Sequence, residues 1–250
     1  MTDEVARLQA WRSLTQARIG LGRSGASLAT RDVLSFALDH ARARDAVHSP
    51  LDSEALGREV RDLGFDTVHV TSLAQDRQTY LARPDLGARL SSQAVAVLHD
   101  TERCQPDLAI VLADGLSSQA LRHAAPVLGH LRQPLLDEGW RLAPVVIATQ
   151  ARVALADEIG AELNAAMVLV LIGERPGMSS PDSLGAYLTW NPMVGRTNAE
   201  RNCVSNIRTE GLQPAAAAET LLWLIREARR GALTGLGLKD LSGLTAISPT

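Results

Sequence analysis

Apolar residues in the first third of the chain recur at helical spacing. Val5, Leu8, Trp11 and Leu14 follow at intervals of three residues, which sets them on one face of a helix. Gly20, Gly22, Ser24, Gly25 and Ser27 interrupt that pattern. Thr30 is placed to cap a second helix carrying Val33, Leu34, Ala37, Leu38 and Ala41. Asp52 is the corresponding cap of a third, which should end at Gly64. Alternation over Thr67–Thr71 predicts a short strand.

From about Ser91 the period changes. Leu108–Ala113, 145–148 and 167–172 are unbroken apolar runs of strand length, the first turning into a helix at Asp114 and Gly115. Between them, Leu128, Leu131, Leu135 and Leu136 suggest a helix before Gly139, which Pro134 should kink or split. Residues 157–163 suggest another helix. Such alternation implies a parallel sheet flanked by helices. After Gly173 comes a long segment rich in Gly, Pro, Ser and Asn that still carries Tyr187, Trp190, Met193 and Cys203, and it reads as a structured loop. The spacing of Thr197 and Glu200 is that of a capping box and predicts a short helix bearing Cys203. Pro214 opens a long helix through Arg230, closed by Gly231. The expected fold is α/β: a helical N-terminal lobe over 1–90, then a Rossmann-like three-layer domain with a mainly parallel sheet over 91–250. No internal repeat is visible.

Composition narrows the function. With 250 residues, 46% hydrophobic and 21% charged, the chain can bury a substantial core as an ordinary soluble protein. A net charge of -3 argues against a nucleic-acid partner, which calls for a basic excess. No apolar run approaches the ~20 residues needed to span a bilayer, so no membrane association is expected. The first residues lack the apolar core of a secretory signal. Cys104 and Cys203 are two distant thiols without C-x-x-C spacing, which fits a reducing cytoplasm.

Several motifs invite chemistry and are better explained otherwise. Residues 20–25 spell G-x-G-x-x-G, but a nucleotide site needs a strand before the glycines, and a helix precedes them here. A loop bearing Arg18, Arg23 and Arg31 could instead meet an acidic partner surface. Ser179, Ser180, Asp182 and Ser183 cluster without a G-x-S-x-G elbow or a nearby histidine, so turn-forming serines are the simpler reading. The six histidines are scattered and follow no metal-ligand spacing. Glu174, just beyond an apolar strand run, keeps two readings open. It is either a ligand contact at a strand's carboxyl end or a carboxylate paired with Arg175 or another cation. Val153 and Cys203 are, on their own, ordinary apolar packing residues.

The segments GERPGMSSPDSLG (173–185) and NAERNCVSNIR (198–208) closely resemble the small (light) chain of ethanolamine ammonia-lyase. The resemblance extends to Ala82-Arg83-Pro84-Asp85-Leu86-Gly87, Ala113-Asp114-Gly115-Leu116-Ser117, Gln150-Ala151-Arg152-Val153 and Ala17-Arg18-Ile19-Gly20-Leu21-Gly22-Arg23, and so covers nearly the whole chain. It implies an adenosylcobalamin-dependent conversion of ethanolamine to acetaldehyde and ammonia. Homolysis of the cobalt–carbon bond starts the radical chemistry, and the large subunit holds the substrate. This chain would then enclose the cofactor, with Glu174, Val153 and Cys203 against it and no catalytic residue of its own. The implied assembly is a hetero-oligomer with equal numbers of large and small subunits, cytoplasmic or within a bacterial microcompartment. The leader carried by family members is short here, which leaves that second address open. A D-x-H-x-x-G motif is lacking, so no histidine of this chain is expected on cobalt. The rival reading is a non-catalytic α/β assembly subunit that never touches the cofactor. A Glu174 locked in an internal ion pair would favour it.

Overall fold

The computed structural model describes residues 7, 8, 10–12, 14, 15, 17–101 and 105–245; Val5 and Cys104 lie outside them. Each apolar run becomes a strand. β3 (Thr67–Thr71), β4 (Leu108–Ala113), β5 (Val145–Thr149) and β6 (Met167–Gly173) join β7 (Leu184–Trp190) and β8 (Arg201–Ile207) in one sheet of order β3-β5-β4-β6-β7-β8. The pairs β3/β5, β5/β4 and β4/β6 are parallel, whereas β6/β7 and β7/β8 are antiparallel. β1 (Arg23–Ser24) and β2 (Ser27–Leu28) form a separate hairpin.

Unbroken apolar runs are what a sheet covered on both faces requires. Leu108, Ile110 and Leu112 of β4 point to one face, where they pack with residues of α2 (Ser53–Asp62), α5 (Ala124–Asp137) and α7 (Pro214–Gly231). Ala109, Val111 and Ala113 point to the other, shared with α4 (Ser92–Asp100) and α6 (Leu155–Glu162). Helix α1 (Thr30–His48) precedes α2, and α3 (Arg77–Ala82) lies between β3 and α4. The small residues of β4 thus face α4 and α6, while its large ones fill the opposite layer. Burying each large aliphatic contributes roughly 1.5–3 kcal/mol.

The expected caps hold in part. The Asp52 carboxylate accepts from Ala55 N at 2.9 Å, and Gly64 follows that helix at φ +85°. α1 begins at Thr30 itself, with Ala29 as the cap residue. Pro134 neither splits nor ends its helix at once: α5 runs unbroken through it to Asp137. Lying in the last turn, it leaves only a few residues downstream to perturb. Residues 20–25 run into β1 and the turn of the β1/β2 hairpin, and among the described residues no βαβ unit surrounds them.

Two expectations are corrected. The segment after Gly173 is not one long loop, because 184–190 returns as strand β7. The capping box forms on a single 3₁₀ turn, Asn198–Glu200, so Cys203 lies on strand β8 and not on a helix. Antiparallel pairing with β7 overrides the local helix signal there. The first helical pattern is present at residues 7, 8, 10–12 and 14, yet Trp11 and Leu14 are exposed. Val33, Leu34, Phe36 and Leu38 of α1 are exposed as well. Periodicity there gave the element, but the described residues offer no surface that buries these side chains.

Candidate functional site

The chain passes from β4 to β5 on one side, then crosses back to place β6 on the other, so the strand order reverses at β4. Ligands in open α/β sheets bind beyond the strands' carboxyl ends at such a reversal. Here the β4 exit turns on Gly115, with φ +56°, and Leu116 N donates to Gly173 O at 2.9 Å. The Asp114 carboxylate reaches across to the β5 exit, accepting from Gln150 N at 2.9 Å and Ala151 N at 3.0 Å. Arg77 stands 3.5 Å from the same carboxylate. Burial pushes the Asp114 carboxyl up, while the two amides and Arg77 pull the other way. Asp114 therefore ties two strand exits together.

Above this floor lies a cavity of about 400 Å³. Gly115, Leu116, Ile172 and Gly173 form its base, Arg152 and Val153 come from the β5 exit, and Glu174, Arg175 and Tyr187 come from β6 and β7. Tyr80 of α3 lies behind Arg152. Its ring is held between the guanidiniums of Arg77 at 4.7 Å and Arg152 at 4.1 Å, and its hydroxyl donates to Ala151 O at 3.2 Å. Burial pushes that hydroxyl's pKa up to about 12. Arg152 Nη2 donates to Tyr80 O at 3.0 Å, but its Nε is buried without a hydrogen-bond partner. Gly87, the last residue of the turn Pro84–Gly87, leaves room for this stack, since a Cβ there would stand 2.9 Å from the Tyr80 ring and 3.0 Å from Arg152 Cγ.

Glu174 is half-buried, and one carboxylate oxygen is held by the Ser183 hydroxyl and by Asn206 N at 3.3 Å. Among the described residues no cation pairs with it. The loop bearing it is anchored at Asp182, which binds Arg122 and, at 2.9 Å, His123 Nε2. Burial raises the Asp182 carboxyl, but those two partners outweigh it and leave the group below its usual range. Tyr187 and Cys203 are cross-strand partners in the β7/β8 register, so they share a sheet face. Burial pushes the Cys203 thiol up, the Tyr187 hydrogen bond lowers it, and the charge on Glu174 raises it further. The residue is nonetheless exposed, which corrects its reading as an ordinary apolar packing residue.

The family described as ethanolamine ammonia-lyase light chain (EutC) matches residues 5–239. The chain belongs to the ethanolamine ammonia-lyase light-chain family. It is 54% identical to the ethanolamine ammonia-lyase small subunit of Pseudomonas paraeruginosa, over 92% of this chain and 85% of that one. The counterparts in Pseudomonas fluorescens and Ralstonia nicotianae are 52% and 51% identical, over 92% and 93% of this chain and 84% and 87% of theirs.

In this light chain, Val153 and Glu174 line one cavity, and Cys203 stands one strand further out beside Tyr187. Sequence reasoning missed Tyr80, Arg152, Arg175 and Tyr187 as parts of the same site. Arg152 and Arg175 adjoin the chosen Val153 and Glu174, and that adjacency was the available signal. Tyr80 carried none, because it reaches the site only through the packing of α3. His123 was equally invisible, lying 59 residues from Asp182 in the chain.

Proposed function

We propose that this chain is the small subunit of an adenosylcobalamin-dependent ethanolamine ammonia-lyase, and that its crevice covers one side of the cofactor against the large subunit. The observation that carries this reading is Glu174: a carboxylate lining the crevice with no cation paired to it among the described residues. The propionamide arms of a corrin present N–H donors, and a carboxylate is their natural acceptor. A cavity of about 400 Å³, near the low end of the ~300–1,000 Å³ of ligand sites, cannot enclose a corrin but can cover part of one. The site therefore fits the cofactor as a shared site and calls for a second protein to close it.

When bound, the cofactor supplies the radical chemistry of the reaction. The chain's own task is to bind, orient and exclude water. Glu174 receives amide donors, Val153 offers an apolar contact at the β5 exit, and Cys203 bounds the site beyond Tyr187. That task requires no proton-transfer residue of its own. We assign cofactor contact to residues 91–250, with β3 lent to the sheet from the preceding lobe. The partner is the large subunit, in equal numbers, and the setting is the cytoplasm or a bacterial microcompartment within it. The relatives, named as small subunits, support the partner, as do the exposed apolar residues of α1. No described helix is long and apolar enough to cross a membrane.

A silent assembly subunit is the rival, and an ion-paired Glu174 would have favoured it. The deciding test is the absorption difference spectrum of cobalamin added to the large subunit with and without this chain. Enclosure predicts tighter cobalamin binding in the two-subunit complex. Equal binding in both would leave this chain an assembly role only.

A further inference from the structure

The cavity that holds Glu174 also carries positive charge that the reading above leaves unused. Arg152 enters from the β5 exit and Arg175 from the β6 exit. Other arginines around the sheet are matched: Arg77 with Asp114, Arg89 with Glu158, Arg122 with Asp182 and Arg201 with Asp157. Among the described residues neither Arg152 nor Arg175 has a carboxylate partner. Arg152 stacks on Tyr80 and bonds its carbonyl, which fixes the guanidinium while its buried Nε stays without a hydrogen-bond partner. Arg175 is exposed at the cavity's edge. Two unmatched guanidiniums around one cavity favour a ligand that brings an anion.

Resting on the proposed cofactor, we propose that Arg152 and Arg175 take the phosphodiester of its nucleotide tail, while Glu174 takes amide donors of the corrin. The cofactor's amides and sugar hydroxyls are neutral, and the phosphodiester is the anionic group of its tail. The planar guanidinium fork suits phosphate oxygens better than a point-charge ammonium does. The crevice then reads two ends of one ligand with opposite polarity: an acceptor for the ring's arms and donors for the tail.

The test uses the assembled two-subunit complex and two probes. Cyanocobalamin carries the phosphodiester tail; dicyanocobinamide keeps the corrin and its amides but lacks the tail. Each is titrated spectroscopically into wild type, Arg175→Gln, Arg152→Lys and Glu174→Gln, with co-purification and melting temperature confirming assembly. Arg175→Gln should weaken cyanocobalamin about tenfold or more, the scale of one charge-assisted hydrogen bond, and leave dicyanocobinamide unchanged. Glu174→Gln should weaken both probes. Because Arg175 is exposed, its variant carries the test even if Arg152→Lys disturbs the Tyr80 stack. Unchanged cyanocobalamin binding in Arg175→Gln, or equal losses for the two probes, overturns the assignment. A wild-type complex that binds neither probe better than the large subunit alone overturns the cofactor reading with it.

Discussion

Gly115 and Gly173 cross backbone against backbone at the base of the crevice. A Cβ on Gly115 would lie 2.1 Å from Gly173 O, and one on Gly173 would lie 2.0 Å from Ser117 O. No flexible side chain is available to give way, since both obstacles are main chain. Gly115 also holds φ +56°, which a side chain disfavours by about 1–2 kcal/mol before any clash is counted. With overpacking of about 1–3 kcal/mol, Gly115→Ala should destabilise the chain by roughly 2–5 kcal/mol. Gly173→Ala should push Glu174 out of place as well. Urea unfolding checks the first and cobalamin titration of the assembled enzyme checks the second. Wild-type stability in Gly115→Ala would mean that the β4 exit is looser than described.

Glu174→Ala should weaken cobalamin binding by about 1–3 kcal/mol, the cost of leaving polar partners unmet. Its effect on stability should be smaller, because one carboxylate oxygen bonds only Ser183 and Asn206. Cys203→Phe should crowd the same surface from β8, and Cys203→Ala should be milder. Equilibrium titration of the assembled complex separates these outcomes. If Glu174→Ala and Cys203→Phe both bind as wild type, these residues serve the fold alone.

The central parallel strands β4, β5 and β6 were open to reading because they are buried on both faces. Residues 108–113 and 167–172 stand out as apolar runs whatever surrounds them. β7 was harder: Leu184, Ala186 and Leu188 do alternate, but Gly185 and the flanking Pro181 and Pro192 give the stretch a loop's composition. Cys203 was misplaced because the capping box at Thr197 and Glu200 is real and merely ends after one turn. Of the site, Glu174 was visible from its position after a strand. The Tyr80 stack depends on contacts 72 residues apart and left no local trace.

Tyr80 should be a structural keystone of the Arg152 wall. Tyr80→Phe removes only the hydroxyl bond to Ala151 O and should cost about 0.5–1.5 kcal/mol. Tyr80→Ala empties a fully buried position between two guanidiniums and should cost roughly 3–5 kcal/mol. Denaturant midpoints distinguish the two. Similar midpoints for both variants would show that the ring is not packed as described.

Acid should loosen the turn that starts β8. Thr197 N bonds the Glu200 carboxylate at 2.7 Å, and Arg196 and the Thr197 hydroxyl add to it, lowering its pKa from 4.5 to about 2. A carboxylate depressed in the fold contributes stability that is complete above its unfolded pKa and lost as pH falls through the folded one. The wild-type advantage over Glu200→Gln should thus be full above about pH 4.5 and fade towards pH 2. Carboxyl-detected titration of Glu200 and paired urea melts at stepped pH provide the check. A Glu200 that titrates at its ordinary value removes the argument.

Leu34 and Phe36 are more than half exposed, at 64% and 52%, on a helix with only Ala46 buried. Contiguous exposed apolar residues on a stable helix are a cost in water unless another surface covers them. If the large subunit provides that surface, Leu34→Asp should weaken co-assembly while leaving the melting temperature of the isolated chain within about a degree or two, as for most exposed substitutions. The isolated chain, lacking any assigned proton-transfer residue, should release no ammonia from ethanolamine, and adding the large subunit should restore turnover. The Leu34→Asp complex should then need more chain to reach the same rate, with the plateau rate unchanged. That separation matters, because a lost plateau would mean the helix reaches the chemistry itself. An unchanged titration curve would place the partner's contact elsewhere, and steady turnover by the isolated chain would remove the need for a partner altogether.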